Sequence, residues 1–207
     1  MKEPHQLPLN SPPLYVDGFF QCFTHARAIK QELLTDLTLK VGLSESRLNF
    51  LELAKRDNSI AMHIRRGDYL NAQFLQNFGQ CSNTYYYNAI SKLRDQVGSS
   101  PLLVFSDDPQ YAKDTYGHFP NIYIIPNFND QNDEQDLYLM QQCNHTIMAN
   151  SSFSWWAAFM NTQKNQQVIA PKRWFKNRSV DENNLLPPNW TRLETFTQKV
   201  TQTSDIW

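Results

Sequence analysis

Glycine is scarce in this chain: its 207 residues include six, at positions 18, 42, 67, 79, 98 and 117. No two lie close enough to form G-x-G-x-x-G or a Walker A loop. The dinucleotide and P-loop ways of cradling a phosphate are therefore excluded. Cysteine is equally sparse. Cys22, Cys81 and Cys143 are too scattered for a zinc cluster, and an odd number argues against a disulfide framework, which leaves free thiols in a reducing compartment. There is no D-x-D triplet, no H-E-x-x-H and no paired Cys/His spacing. Nothing points to a metal, and none is expected. Excess charge is missing too, with 19 Lys+Arg against 20 Asp+Glu and a formal net charge of -1. That balance argues against a nucleic-acid partner, so an anionic ligand must be held by a few placed cations. No apolar run approaches the ~18 residues of a membrane helix, and Met1-Lys2-Glu3-Pro4-His5 opens no signal peptide. The expectation is a cytoplasmic protein, at most peripheral to the inner membrane. The N-x-S/T sequons at Asn144, Asn150, Asn177 and Asn189 carry little weight in such a chain.

Aromatics, by contrast, reach 13% while charged residues stay at 19%. Disordered chains show the opposite composition, and this length can bury a sizeable core. Residues 1–23 are rich in proline and aromatics and read as an extended lead-in. From Thr24 to about Lys40, Ala28, Ile29, Leu33, Leu34 and Leu37 repeat at helical spacing, and a second helix is expected from Ser44 to about Arg56. Beyond the Asp57-Asn58 turn the pattern changes to alternating strands and helices. Strands are expected at Ser59–Arg66, Leu102–Ser106, Asn121–Ile125, His145–Ala149 and Gln167–Ala170. Helices are expected at Thr84–Val97, Pro109–Tyr116, Asp133–Cys143 and Ser151–Asn161. Such alternation predicts βαβ units on a parallel sheet, an α/β Rossmann-like domain over 59–207 preceded by an extended and helical lead-in over 1–58.

Three constellations carry chemistry. Met62-His63-Ile64-Arg65-Arg66-Gly67-Asp68-Tyr69 closes a strand, at the end where open α/β sheets bind ligands. Strand side chains alternate, so His63 and Arg65 share a face; the pattern reads either as a cation beside a histidine that meets a base or a phosphate, or as two surface arginines with a satisfied histidine. Arg66 either turns toward the ligand through the Gly67 bend or pairs with a carboxylate. Phe105-Ser106-Asp107-Asp108-Pro109 ends a second strand. Its carboxylates read as caps for the following helix, as partners of Arg65 or Arg66, or as an acid/base or metal-binding pair. The third runs from Asp136 to Trp156 as helix, strand and polar turn into a helix. Asn150-Ser151-Ser152 places backbone N–H groups and hydroxyls at that helix start, a ready site for phosphate. Phe153, Trp155, Trp156 and Phe159 are read as core.

In this order the three blocks resemble the motifs of glycosyltransferase family 11, the inverting α-1,2-fucosyltransferases. H-x-R-R-G-D-Y stands at His63–Tyr69, F-S-D-D at Phe105–Asp108, and D-x-x-L-M-x-x-C-x-x-x-I-x-A-N-S-S-F-S-W-W at Asp136–Trp156. The match covers roughly 59–175, and Tyr15–Gln21 resembles the aromatic stretch that precedes these motifs. The resemblance implies a two-lobed GT-B architecture of which this chain is the carboxyl-terminal, GDP-fucose-binding lobe. It implies that His63 and Asp136 meet guanine, that Arg65 meets the β-phosphate, and that Asn150, Ser151 and Ser152 hold a phosphate. Arg65, Arg66 and Asp68 are the expected catalytic side chains, with GDP-fucose as donor, a galactoside or other glycan as acceptor, and no metal or other cofactor. The sequence departs from the family at its beginning, where the half opening with a glycine-rich G-G-x-G-N-Q type turn is absent. Acceptor recognition and the general base are thereby left open. A GDP-sugar-binding remnant without activity is the first competing expectation, and a metal-dependent phosphohydrolase built on Asp107 and Asp108 the second.

Overall fold

Two short apolar runs supply the middle of the molecule. In the computed structural model, which describes residues 22–40, 42–67, 72–127, 133–177, 179 and 182–196, they form β1 (Ile60–Ile64) and β2 (Leu102–Ser106). Every residue of β1 is buried, as expected of a parallel strand covered on both faces. The pair runs parallel from Ile60 opposite Leu102 to Ile64 opposite Ser106. β3 (Ile122–Ile124) lies outside β2, while β4 (His145–Ile147), β5 (Val168–Pro171) and β6 (Thr191–Leu193) extend the sheet from the other side of β1. The order is β3-β2-β1-β4-β5-β6 with every neighbour parallel. The chain thus winds outward from β1, returns beside it and winds the other way. In open α/β sheets such a reversal is where a ligand crevice is found, which here points to the carboxyl ends of β1 and β4. The Rossmann-like α/β architecture stands as expected.

The helices are α1 (Phe23–Ala28), α2 (Lys30–Asp36), α3 (Glu45–Ala54), α4 (Ala72–Asn77), α5 (Asn83–Val97), α6 (Pro109–Tyr116), α7 (Asp133–Gln142) and α8 (Ser152–Met160). α5 begins where Ser82 accepts a hydrogen bond from the Tyr85 N–H (3.2 Å) and ends at Gly98, whose φ of 75° favours glycine. Its buried stripe of Tyr85, Tyr86, Ala89, Ile90 and Leu93 joins Ala112 and Tyr116 of α6 against Ile60, Met62 and Ile64. On the opposite face Ala61, Leu103 and Phe105 meet Leu139 and Met140 of α7, Ala157 of α8 and Ala54 of α3. Each large side chain fully buried this way contributes about 1.5–3 kcal/mol. The Tyr85 hydroxyl donates to the carbonyls of Met148 (2.6 Å) and Ile169 (3.2 Å), tying α5 beneath the β4 and β5 ends.

The structure corrects three local expectations. The helix expected from Thr24 to Lys40 is broken at Ile29, which leaves Ile29 and Leu37 about half exposed. Phe23, Ala26, Leu33 and Leu34 form the packed stripe instead, against Trp155, Phe159 and Met160 of α8. The segment read as a lead-in therefore shares the core of the sheet domain. Thr191–Leu193 was not expected as a strand; as an edge strand it buries little and shows no apolar alternation. α4 is six residues long and equally without pattern. The aromatic stretch at Tyr15–Gln21 lies outside the described residues.

Candidate functional site at the strand-order reversal

The first two constellations interlock at the carboxyl ends of β1 and β2. One Asp107 oxygen accepts the Arg66 N–H (2.8 Å); the other accepts the Gly67 N–H (2.8 Å) and lies 3.1 Å from Arg65 Nη1. One carboxylate thus holds a turn and a guanidinium together. A Cβ at Gly67 would stand 2.9 Å from Asp107 Oδ2, so a side chain there would push this carboxylate out of place. Asp108 does two things as well. Its Oδ1 accepts the Tyr111 N–H (3.0 Å), capping α6 with Pro109 in the first turn, and its Oδ2 accepts from Arg66 Nε (3.2 Å). The Arg66 guanidinium also lies 3.5 Å above the Tyr111 ring. Of the alternatives left by the sequence, Arg66 takes the carboxylate partner, and Asp107 and Asp108 act as caps and ion-pair partners. Among the described residues no group of three or more His, Cys, Asp and Glu side chains could hold a metal ion.

His63, on the strand face covered by α8, packs against Phe153 with ring centroids 5.3 Å apart. It is 5% exposed, and its Nδ1 has no hydrogen-bond partner. Burial, helped by the nearby Arg65 charge, depresses its pKa from 6.5 to about 3. The ring is therefore neutral at physiological pH and suited to a neutral polar edge.

Across the crevice, the turn from β4 into α8 is built on Asn150. Its side-chain NH2 donates to the carbonyls of Phe78 (3.2 Å), Gly79 (3.1 Å) and Trp174 (3.0 Å). Its Oδ1 accepts from the Cys81 thiol (3.5 Å), which burial keeps protonated by raising its pKa to about 12. Asn150 is a clamp that sets the turn, so the sequence expectation of ligand contact falls to its backbone. Gly79 fits only as glycine, with φ of 68° and Phe196 where a Cβ would stand. Ser151 is the N-cap residue of α8, yet its hydroxyl makes no capping bond, and Ser152 is exposed. Ser154 Oγ instead donates back to the carbonyls of Ala149 and Ser151. The α8 start therefore has no side-chain cap on its first N–H groups.

Asp136, in the first turn of α7, accepts from Nε of Arg47 at 2.8 Å. Arg47 is 2% exposed and anchors α3 to α7; no motif in the sequence singled it out. Asp68 lies outside the described residues.

A family model, Glycosyl transferase family 11, matches residues 4–194. The chain belongs to glycosyltransferase family 11. Family 11 relatives include the O-antigen biosynthesis glycosyltransferase WbnK of Escherichia coli, 34% identical over 68% of this chain and 46% of that protein. An alpha-1,2-colitosyltransferase of Escherichia coli is 30% identical over 86% of this chain and 61% of its own length. Galactoside alpha-(1,2)-fucosyltransferase 1 of Leontopithecus chrysomelas is 25% identical over 90% and 57% respectively. The chain spans about half the length of these family 11 relatives.

Proposed function

We propose that this chain is the donor-binding portion of a galactoside α-1,2-fucosyltransferase of GT-B architecture. In this reading, L-fucose moves from GDP-β-L-fucose to a galactose 2-hydroxyl with inversion. The observation that carries the reading is the placement of a held guanidinium, Arg65, and of a helix start without a side-chain cap, at Ser151 and Ser152, beyond the ends of adjacent strands. As the sugar–phosphate bond breaks, negative charge grows on the departing diphosphate. A positioned guanidinium and helix N–H groups stabilise that growth without a resident metal. His63, neutral and lacking a partner at Nδ1, suits a base edge better than a phosphate. Asp136 meets guanine through whatever capacity its pairing with Arg47 leaves. Asp107 holds Arg65 in place, and Arg66 is a positioning residue fixed by Asp108 and Tyr111, in place of the catalytic role expected from sequence. Asp68 stays among the proposed catalytic side chains.

Calorimetric titration of the chain with GDP, UDP and ADP tests the site, and GDP is expected to bind alone or at least tenfold tighter. Comparable binding of all three nucleotides refutes the guanine contacts. Transfer assays with GDP-fucose and GDP-colitose then separate the two donors, and added EDTA is expected to leave turnover unchanged. Because the chain spans about half of its relatives, a GDP-sugar binder without turnover is the second reading. GDP binding with no transfer to any galactoside favours it. No helix among the described residues is long and apolar enough to cross a membrane. Peripheral attachment to the inner membrane is tested by salt extraction of the membrane fraction.

A further inference from the structure

The first turns of α3 and α7 are locked together. Arg47 Nε donates to Asp136 Oδ1 (2.8 Å) and its Nη1 to the Ser44 hydroxyl (3.3 Å), while the Ser44 N–H donates to Gln135 Oε1 (2.8 Å). One turn of α3 thus holds two adjacent residues of α7. Both helices lead into the amino end of a central strand, α3 into β1 and α7 into β4. Ser59, just before β1, donates through its hydroxyl to the Ala54 carbonyl at the end of α3. The first turns therefore lie toward the carboxyl ends of the strands, where His63 and Arg65 stand. Leu137, next to Asp136, and Phe153, the ring against His63, pack on the same core cluster. The ion pair is asymmetric: the Arg47 side chain is 3% exposed and that of Asp136 25%. Two well-packed apolar side chains would join these helices at least as firmly as a buried ion pair does. A guanidinium kept inside to hold a carboxylate that reaches the surface fits a carboxylate whose direction matters.

We propose that Arg47 is a positioning residue that sets selectivity for guanine over other purines by fixing the carboxylate plane of Asp136, an inference that rests on the donor reading above. Guanine presents two neighbouring donors, N1–H and the 2-amino group. A carboxylate accepts both only when its plane lies along that edge, and its lone pairs, about four, are more than one guanidinium uses. The guanidinium is a rigid planar fork. With Nε on Asp136 and Nη1 tied to Ser44 it fixes that plane, where an ammonium would let it turn. Adenine carries an acceptor at N1 and meets the carboxylate with repulsion. Hypoxanthine keeps N1–H but lacks the amino group, so it isolates a single hydrogen bond. A residue of the segment read as a lead-in thereby serves the donor site of the sheet domain.

The test is calorimetric titration of the purified chain with GDP and with inosine diphosphate. GDP is expected to bind about tenfold tighter or more, the effect of one hydrogen bond to a charged group. In Arg47→Met the two affinities should come within about twofold of each other, and in Arg47→Lys their ratio should fall about threefold. Arg47→Lys keeps the charge opposite Asp136 and carries the test where Arg47→Met fails to fold. A purely structural Arg47 would weaken both nucleotides by the same factor, so an unchanged ratio in a folded variant overturns the inference. Equal binding of GDP and inosine diphosphate by the wild-type chain also overturns it, and leaves the donor reading to be judged against UDP and ADP. Failure to bind either nucleotide removes the donor reading and the inference with it.

Discussion

The two rims of the crevice are built in opposite ways. On the β1–β2 rim, charge meets charge: Asp107 answers Arg65 and two backbone N–H groups, and Asp108 answers Arg66 and the start of α6. On the β4–α8 rim the polar groups behind the turn are satisfied through Asn150, while the helix start in front of it has no side-chain cap. One rim is closed by its own ion pairs, and the other is left uncapped. Removing a group from the first should disturb chemistry through a displaced cation. Removing the clamp behind the second should disturb stability.

Arg65→Ala should produce the largest effect, a loss of transfer on the order of 10²–10³-fold, since it removes the cation proposed to face the developing charge. Its half-exposed pairing with Asp107 adds at most about 1 kcal/mol to the fold, so the melting temperature should barely move. Near-wild-type turnover in this variant refutes the division between the rims.

The second prediction concerns acid. His63 keeps a folded-state pKa of about 3 against 6.5, so below pH 6.5 the unfolded chain binds a proton that the folded chain refuses. Stability is complete above that pH and falls by about 1.4 kcal/mol per unit as the pH drops toward 3. His63→Gln should flatten the urea-denaturation slope between pH 6 and 4 measured across about two units. Some slope should persist, because burial also lowers the pKa of His145. An unchanged slope in the variant means that His63 is not held neutral.

Asn150→Ala should come third, costing about 2–3 kcal/mol by thermal unfolding, because it strands three carbonyls on two segments of the chain. The smallest effect is expected of Ser152→Ala. Loss of one exposed hydroxyl should weaken GDP binding about fivefold in calorimetry with no change in melting temperature. If Asn150→Ala leaves stability intact while Ser152→Ala lowers it, the roles of turn and clamp are reversed.

Legibility from sequence followed locality. β1, β2 and α6 were readable because apolar runs and the Asp108-Pro109 start are properties of a few adjacent residues. The break at Ile29 and the edge strand at Thr191–Leu193 depend on what each segment packs against, which periodicity does not record. At the site, the alternation that put His63 and Arg65 on one face was visible, and so was an ion pair between neighbouring strand ends. The clamp was not visible, because Asn150 meets Gly79 and Trp174 at separations of 71 and 24 residues. Nor did any local signal mark Arg47, whose partner Asp136 is 89 residues away.

Continued one and two steps past Ile64 and Ser106, the β1–β2 register brings Arg65 level with Asp107 and Arg66 level with Asp108. Both cations are neutralised only when the two strands have aligned without slippage. A shift of one residue would leave a carboxylate facing the wrong neighbour and would aim each arginine at the other side of the sheet. The β1–β2 rim therefore doubles as a check on strand alignment, since a slipped pairing forfeits both partly exposed ion pairs at the strand ends.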